Sequence, residues 1–489
     1  MTGSLALPLW ILAVVGALAL WAALDRILMP SARWFLRRRL NRMIEEVNTR
    51  LELQIPPFLQ TKRRVLIDQL TYDPNVMEAI DAEAQATGTP REVLSRQVER
   101  YAREIVPSFN AYAYFRIGYH LARRAVESLY RVRLGYSDDE GLARIEPGAS
   151  VVFVMNHRSN MDYVIVAYMA AHRSALSYAV GEWARVWPLR MLVRSLGAYF
   201  VRRGSGSRLY RQVLARYVQA ATAGGVVQAV YPEGGLSRDG RLRKPKLGLI
   251  NYMVSSFDPE GARDLVFVPV GINYDRVLED RMLVRAPGPG EPRRSRARVL
   301  ATAFRFAAHN VSLMIRRRWY RFGYACVNFA APISMRDYAK EHAIDFRALE
   351  ADARHEAVER LGDELLQAIA AAIPVLPVSL VATVFVRAND AALDLLEIKG
   401  HTQALIDKLE RGGAYVHIPR ADRDYAVTVG LRMLTLRHFV TEADGLYRAN
   451  EGERDMLRYY ANAIEHFLAD PQADRPGEKA TPATKITGA

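Results

Sequence analysis

The sequence predicts an α/β fold in which a largely parallel sheet is flanked by helices, with helical regions on both sides of it. Short apolar runs alternate with helical stretches from about residue 149, and strands separated by helices are typical of parallel sheets. Half of the 489 residues are hydrophobic, which allows a sizeable core and excludes wholesale disorder. We divide the chain into a membrane anchor (1–30), a helical N-terminal region (31–135), an α/β domain (136–335), a C-terminal helical region (336–469) and a disordered tail (470–489).

The anchor is predicted from Leu5–Leu24, a run of twenty residues without a charge. As a helix, this length is sufficient to cross the hydrocarbon core of a bilayer. Several arginines follow the run directly: Arg26, Arg33, Arg37, Arg38, Arg39 and Arg42. Under the positive-inside rule we expect a single-pass or membrane-embedded anchor, with everything downstream of it in the cytoplasm and a short N-terminus outside. Two alternatives are a cleaved signal peptide, although no basic residue precedes the run, and a buried helix of a soluble protein.

The next segment, residues 31–135, carries helical periodicity. Apolar side chains recur at helical spacing over residues 91–105, with charges between them, which predicts an amphipathic helix. Prolines at 56–57, 74 and 90 divide the segment into about four helices. We interpret its basic residues as a solvated face, with a binding patch as the alternative.

The α/β domain and the C-terminal region follow from the order of apolar runs. Four runs predict strands: 150–155, 198–201, 226–231 and 265–271. Helical stretches lie between them: 160–172, 206–222 and 246–256. A Pro- and Gly-rich loop follows at 287–292, and residues 324–330 predict a further strand. Helical patterns then continue to about residue 469, and the polar residues beyond are typical of a frayed tail.

Charge and cysteine content limit the classes of function. Lys and Arg outnumber Asp and Glu by 67 to 53, a net charge of +14, which favours phosphate-bearing substrates, anionic lipids or nucleic acid. The sequence has no zinc-finger spacing, RNP-type strand or heptad zipper, so nothing in it indicates nucleic acid. A single cysteine, Cys326, excludes an internal disulfide framework, a Cys-rich zinc site and a CxxC redox motif. Its apolar neighbours indicate a buried strand residue rather than a nucleophile.

Residues 151–162 carry the clearest catalytic signal. A strand ends early in this stretch, and Ser159 or Asn160 can cap the helix that follows. His157 then lies in the turn and Asp162 in the first turn of the helix, so the imidazole can fold back over the carboxylate. We therefore predict His157 as a general base that takes a proton from a hydroxyl, with Asp162 holding its tautomer.

The spacing by itself is weak evidence, because His417 and Asp422 are also five residues apart. There Pro419 intervenes and no helix start follows, so we interpret His417 as structural or as a surface residue. The catalytic interpretation of His157 depends on the residues at the other strand ends.

Those strand ends carry residues suited to binding a phosphate. The predicted substrate-binding residues are Arg202, Arg203, Glu233, Gly234, Gly235, Ser237 and Arg238. Guanidinium groups form charge-assisted hydrogen bonds to phosphate, and glycines let backbone N–H groups approach it. Glu233 is expected to hold substrate hydroxyls or to orient an arginine. In open α/β sheets ligands bind outside the carboxyl ends of the strands, where these loops should converge. Surface salt bridges remain the alternative for any one arginine.

Four sequence blocks together resemble the acyltransferases that acylate glycerol-3-phosphate, above all the bacterial membrane-bound 1-O-acyltransferases and their dihydroxyacetone-phosphate relatives. The blocks are His157–Tyr163, Gly197–Arg203, Glu233–Leu242 and Val268–Val270. Residues 374–381 and 457–467 are similar to the C-terminal helices of that family, and the likeness covers about 62–467. The third block of the family usually has an arginine at the position of Leu236, and the family pattern does not include the N-terminal anchor.

The resemblance implies an enzyme that transfers an acyl group from acyl-CoA or acyl carrier protein to the sn-1 hydroxyl of glycerol-3-phosphate. In that reaction His157 is the base, Asp162 orients it, and Arg202, Glu233 and Gly234 position the acceptor, with Arg203 and Arg238 as helpers. No metal and no cofactor besides the acyl donor is expected. The implied location is the bacterial inner membrane, in contact with anionic lipids, with the catalytic domain on the cytoplasmic side.

Two other kinds of function stay open at this point. The chain could acylate dihydroxyacetone phosphate or lysophosphatidate instead of glycerol-3-phosphate. It could also be a membrane-anchored binder of anionic lipid or acyl carrier protein without turnover, although such a protein would need no His–Asp pair.

Overall fold

The computed structural model describes residues 56–110, 114, 118–170, 176–180, 194–195, 197–202, 206–285 and 322–469. The predicted anchor (1–30), the loop at 287–292 and the tail (470–489) therefore lie outside the described residues. Within the described part of the chain, no helix combines the length and the apolar composition that a membrane span requires.

Five helices precede the sheet in the part of the chain that the structure describes. They are α1 (Pro57–Gln60), α2 (Arg63–Thr71), α3 (Pro74–Thr87), α4 (Arg91–Ile105) and α5 (Tyr119–Leu129). Asp73 begins α3 because its carboxylate accepts hydrogen bonds from the backbone N–H groups of Asn75 and Val76, a cap worth about 1 kcal/mol. The amphipathic pattern over 91–105 forms α4, whose apolar face is buried against α2 and α8.

The central sheet has eight described strands. They are β1 (Arg131–Ser137), β2 (Ser150–Met155), β3 (Ser177–Val180), β4 (Tyr199–Phe200), β5 (Gln228–Val230), β6 (Leu265–Tyr274), β7 (Tyr324–Phe329) and β8 (Ile333–Ser334). Their spatial order is β1-β7-β6-β2-β5-β3-β4, and β8 pairs with β6. All pairs are parallel except β6–β7 and β6–β8. The predicted largely parallel sheet is confirmed.

Helices connect and cover these strands. They are α6 (Asp139–Ala143), α7 (Asp162–Ala170), α8 (Arg208–Ala223), α9 (Gly248–Val254) and α10 (Asp280–Val284). Val152 and Val154 of β2 face the core formed with α8 and α9, whereas Val151 and Phe153 face the core formed with α7. The centre of the sheet around β2 is thus buried on both faces, as is typical of parallel sheets.

The C-terminal region packs on the same sheet. Its helices are α11 (Met335–Glu341), α12 (Ala351–Ala372), α13 (Pro377–Ala388), α14 (Leu395–Arg411), α15 (Arg423–Leu436) and α16 (Arg454–Ala461). A second, antiparallel sheet of β9 (Leu393–Asp394), β10 (Val440–Ala443) and β11 (Leu446–Ala449) joins them. Helix α13 is buried over its first nine residues because helices and sheet surround it.

Strand β1 differs from the sequence prediction. It spans the boundary drawn at residues 135–136 and forms one edge of the sheet, where most of its side chains are exposed or half-buried. The sequence of β1 alternates Arg with apolar residues and directly follows α5, so it shows no continuous apolar run of the kind that predicts a buried strand. The predicted strand at 198–201 is also shortened to the two residues of β4.

Candidate active site

The candidate site lies at the carboxyl ends of β2, β3 and β5. These strands are parallel neighbours, so the loops that follow them meet on one side of the sheet. Asn156, directly after β2, fixes the start of the first loop. Its side-chain amide donates to the carbonyl of Ile272 and accepts from the N–H of Ile272, both at 2.8 Å. The turn that carries His157 is therefore tied to β6.

His157 and Asp162 form a hydrogen-bonded pair. The Nδ1 atom of His157 lies 2.9 Å from Oδ2 of Asp162, the first residue of α7, and the aspartate is fully buried. The same Oδ2 accepts hydrogen bonds from the backbone N–H groups of Arg158, at 2.8 Å, and Ser159, at 3.0 Å. Asp162 thus shapes the turn and orients the imidazole at once. Since Nδ1 faces the aspartate, Nε2 is the ring nitrogen available to a substrate.

Two tyrosines complete the surroundings of the pair. The hydroxyl of Tyr274 donates to Oδ1 of Asp162 at 2.6 Å, on the side away from the histidine. The ring of Tyr231 stacks on His157, with the ring centres 3.9 Å apart and the planes at 20°. The buried carboxylate therefore has four hydrogen-bond donors, and the imidazole is held in one plane.

Glu233 binds protein backbone rather than the cavity. Its Oε1 accepts a hydrogen bond from the N–H of His157 at 2.8 Å, and its Oε2 accepts one from the N–H of Arg243 at 3.1 Å. The side chain is 3% exposed, and this burial raises the pKa of Glu233 to about 7. In this structure Glu233 joins the backbone of His157 to that of Arg243, and it is not among the residues lining the cavity beside His157.

A cavity of about 410 Å³ opens beside His157. Most of its lining is apolar or aromatic: Tyr163, Tyr178, Val201, Leu214, Val230, Tyr231, Leu249, Ile250 and Tyr252. Three cationic residues, Arg202, Arg211 and Lys246, also line it. A cavity of this kind suits a ligand with both an apolar chain and an anionic group.

Arg202 reaches the cavity but is already paired. Its Nε donates to Oε1 of Glu104 at 2.8 Å, and its Nη2 donates to the other carboxylate oxygen. The guanidinium also lies between the rings of Tyr101 and Tyr210, at 5.2 and 5.3 Å from their centres. The hydrogen bonds to Glu104 raise the pKa of Arg202 above its ordinary value. Arg211 and Lys246, by contrast, form no ion pair with any residue that the structure describes.

Of the other predicted binding residues that the structure describes, only Gly234 lines the cavity. Gly234 lines the cavity with φ of +65°, and a Cβ there would lie 2.6 Å from the side chain of Lys246. Gly235 is buried outside the cavity lining, and Ser237 supports the loop, because its N–H donates to the carbonyl of His157 at 2.9 Å. Arg238 is exposed and is not among the residues lining the cavity. Arg203 lies outside the described residues.

Sequence reasoning missed several residues of this site. Tyr274 and Glu279 follow the fourth block; Glu279 accepts hydrogen bonds from the hydroxyl of Ser159, at 2.8 Å, and the side-chain amide of Asn160, at 3.0 Å. Arg158 is buried inside the first block and donates to the carbonyl of Gly240. Only the position of Arg158 within the block could have indicated a role. The others required the strand register.

His417, with the same spacing to an aspartate, lies elsewhere. Its ring is half-buried and meets the edge of Tyr324 with ring centres 4.9 Å apart, next to β7. Burial lowers the pKa of His417. His417 is not among the residues that line the cavity beside His157.

Comparisons with known proteins agree with the four blocks. Residues 137–273 match the family model described as acyltransferase, and residues 310–472 match the one described as glycerol-3-phosphate acyltransferase C-terminal region. The resemblance predicted from the sequence is confirmed.

Curated relatives are similar over most of this chain. Three proteins named glycerol-3-phosphate acyltransferase are 28% identical over 422 residues (Aeromonas hydrophila subsp. hydrophila), 30% over 421 (Pseudomonas syringae pv. tomato) and 32% over 310 (Xylella fastidiosa). The aligned parts cover 84%, 84% and 63% of this chain, and 50%, 49% and 34% of the relatives. The chain thus spans about half the length of the curated relatives it matches.

Proposed function

We propose that this chain, which is similar over 84% of its length to proteins named glycerol-3-phosphate acyltransferase, is itself such an enzyme. It transfers an acyl group from acyl-CoA or acyl carrier protein to the sn-1 hydroxyl of glycerol-3-phosphate. The observation that carries the proposal is the His157–Asp162 pair, 2.9 Å apart, beside a cavity with both apolar and cationic walls.

The reaction follows from the geometry of the pair. Nε2 of His157 takes the proton of the acceptor hydroxyl while its oxygen attacks the thioester carbonyl, and Asp162 stabilises the imidazolium that forms. The tetrahedral intermediate then collapses, the C–S bond breaks, and the thiolate leaves and takes up the proton from His157. The products are 1-acylglycerol-3-phosphate and the free thiol. No acyl-enzyme forms, and the reaction needs no metal and no cofactor besides the acyl donor.

Different parts of the cavity lining bind different parts of the two substrates. The acceptor phosphate lies near Arg202, whose Nε and Nη2 are used by Glu104, and near the cationic groups of Arg211 and Lys246. The backbone of Gly234 can approach the acceptor because the residue has no side chain. The apolar part of the lining receives the first carbons of the acyl chain. Arg203 remains a candidate helper, and Arg238 acts at most at the rim.

The enzyme is proposed to act at the bacterial inner membrane, on its cytoplasmic side. The support is the uncharged run Leu5–Leu24 with the arginines after it, which also attract anionic lipids. A chain lacking residues 1–28 should lose much of its attachment to membranes while keeping acyl transfer. Full retention of the truncated chain after a high-salt wash would contradict this anchor.

The proposal is tested by pairing two donors, acyl-CoA and acyl carrier protein, with three acceptors. These are glycerol-3-phosphate, dihydroxyacetone phosphate and lysophosphatidate, supplied to the purified full chain in membranes. We expect glycerol-3-phosphate to be acylated and His157→Ala to abolish turnover. The matched control is His417→Ala, which removes a half-buried histidine that is not among the residues lining the cavity and should leave turnover unchanged.

Three results would refute parts of this proposal. Consumption of lysophosphatidate with glycerol-3-phosphate ignored would reassign the acceptor. Binding of donor or anionic lipid without any product would favour a binding protein. Unchanged turnover in His157→Ala would remove the base.

A further inference from the structure

We infer that Tyr274, the last residue of β6, is a positioning residue that sets the orientation of the Asp162 carboxylate and, through it, of His157. The kinetic effects expected from this positioning role rest on the function proposed above. The effects expected on the His157 imidazole and the Asp162 carboxylate do not, because both groups belong to the protein itself.

The two oxygens of Asp162 have separate sets of donors. Oδ2 receives the His157 ring and two backbone N–H groups of the turn, whereas Oδ1 receives the Tyr274 hydroxyl at 2.6 Å. The histidine and the turn supply donors to Oδ2 only, so without the tyrosine Oδ1 would have no hydrogen-bond donor among the described residues. The tyrosine fixes the second oxygen, so that the plane of the carboxylate, and with it the line to Nδ1, is determined.

The tyrosine is itself rigid and remains a donor. It is completely buried, and this burial, together with the nearby Asp162 charge, raises the pKa of Tyr274 well above its ordinary value. The hydroxyl therefore keeps its proton over the range in which enzymes work. The ring packs on Tyr130, with centres 5.3 Å apart, and Tyr130 packs on Phe322. Strand pairing of Tyr274 with Ala325 holds its backbone.

The neighbouring Tyr130 provides a matched comparison. It is also a fully buried tyrosine in the same cluster, but its hydroxyl has no hydrogen-bond partner among the described residues. Removing either hydroxyl changes the volume of the core equally. Only the removal at Tyr274 takes a donor away from Asp162.

The effect on titration has a definite sign. A hydroxyl that donates to a carboxylate spreads its negative charge, so its loss makes Asp162 more basic and favours the imidazolium form of His157. The other ionisable groups around the pair stay in place in the variant. They are Arg158 in the turn, Tyr231 and Glu233 in the third block, Tyr163 on α7, Glu279 after β6 and Tyr459 on α16.

The kinetic test compares Tyr274→Phe with Tyr130→Phe in the full chain. Loss of a hydrogen bond to a charged group predicts a fall of about tenfold or more in kcat/KM for Tyr274→Phe, with little change in KM for glycerol-3-phosphate. The acidic limb of its pH profile should move to higher pH. Tyr130→Phe should match the wild type in both respects. Equal behaviour of the two variants would overturn the inference.

A double-mutant cycle excludes a general effect on packing or folding. If Tyr274 acts through Asp162, adding Tyr274→Phe to Asp162→Asn should cost much less than it costs in the wild type. Full additivity of the two losses would show that the tyrosine acts independently of the aspartate, against the inference.

A third measurement needs no turnover. With ¹³C-labelled histidine in the full chain, the His157 signal is identified by its absence in His157→Gln. Its titration midpoint should move to higher pH in Tyr274→Phe and stay unchanged in Tyr130→Phe. If the wild type shows no acyl transfer, the proposed function fails while this titration still decides the inference; an unmoved midpoint overturns the inference even in an active enzyme.

Discussion

Glu233→Gln is expected to gain stability relative to the wild type as the pH rises from 5 to 8. The carboxyl is 3% exposed, and burial raises its pKa from 4.5 to about 7, although two backbone N–H groups oppose this shift. Glutamine keeps the shape of the side chain and an oxygen that can accept from the N–H of His157, but its NH2 group cannot accept from the N–H of Arg243, a loss that is the same at every pH. It lacks the charge that burial disfavours.

The sign and size follow from proton linkage. Below pH 4.5 the carboxyl is protonated in the folded and the unfolded chain, so it adds no pH dependence. Between pH 4.5 and about 7 the unfolded chain releases the proton while the folded chain keeps it, so stability falls as pH rises. A pKa difference of about 2.5 corresponds to about 3 kcal/mol lost by pH 8. Glutamine has no proton to release and escapes this loss.

The assay is urea unfolding of wild type and Glu233→Gln at pH values from 5 to 8. The midpoint of the wild type should fall relative to that of the variant as the pH rises, because all other titrating groups contribute equally to both. Glu356→Gln is the control: Glu356 is exposed, so that variant should follow the wild type at every pH.

Two outcomes would refute this reasoning. A midpoint difference that is the same at all pH values would mean that burial does not perturb Glu233. A variant that becomes relatively less stable as the pH rises would mean that the bonds from His157 and Arg243 to the charged carboxylate outweigh its desolvation.

Three further predictions concern the His157–Asp162 pair, the loop at Gly240 that faces α16, and the cationic residues that line the cavity. Asp162→Asn should lower kcat by about 10²–10⁴-fold with the fold intact, since general-base catalysis contributes that much; an unchanged kcat, measured with an intact fold by circular dichroism, would contradict this role. Gly240→Ala should lower the thermal unfolding midpoint far more than Gly445→Ala. Both glycines have positive φ, but only Gly240 lies against a backbone carbonyl of α16. Equal shifts of the midpoint in the two variants would argue against that close packing. Lys246→Ala should raise KM for glycerol-3-phosphate about tenfold at constant kcat, because a charge-assisted contact to the phosphate is lost. Arg238→Ala should leave KM unchanged. A raised KM in Arg238→Ala with an unchanged KM in Lys246→Ala, measured by initial-rate kinetics, would place the phosphate outside the cavity.

Local features of the sequence were sufficient to predict that the side chains of His157 and Asp162 can meet, although not that the pair is catalytic. His157 and Asp162 are five residues apart across a strand-to-helix turn, so local backbone geometry alone decides whether they can meet. The amphipathic helix at 91–105 and the buried strands at 150–155 and 265–271 were predicted for the same reason, because burial on one or both faces repeats with the period of the element.

Edge and paired positions could not be found in this way. Strand β1 is half-exposed, so its burial leaves no clear periodic pattern in the sequence. The ion pair of Arg202 was likewise not predicted, because its partner Glu104 lies 98 residues earlier in the chain. Whether a cation is free or paired depends on which distant acid the fold brings near.

The residue types and spacing of the chain thus predicted the α/β layering, the turn that joins His157 to Asp162 and the family resemblance, because each of these rests on short segments and on their order along the chain. Tertiary structure alone decided what supports that pair. Glu233 lies 76 residues from His157 and Tyr274 lies 112 residues from Asp162, and only the register of β6 and β5 against β2 brings them within hydrogen-bonding distance. That register is set by the burial of all three strands together, which no single stretch of sequence contains.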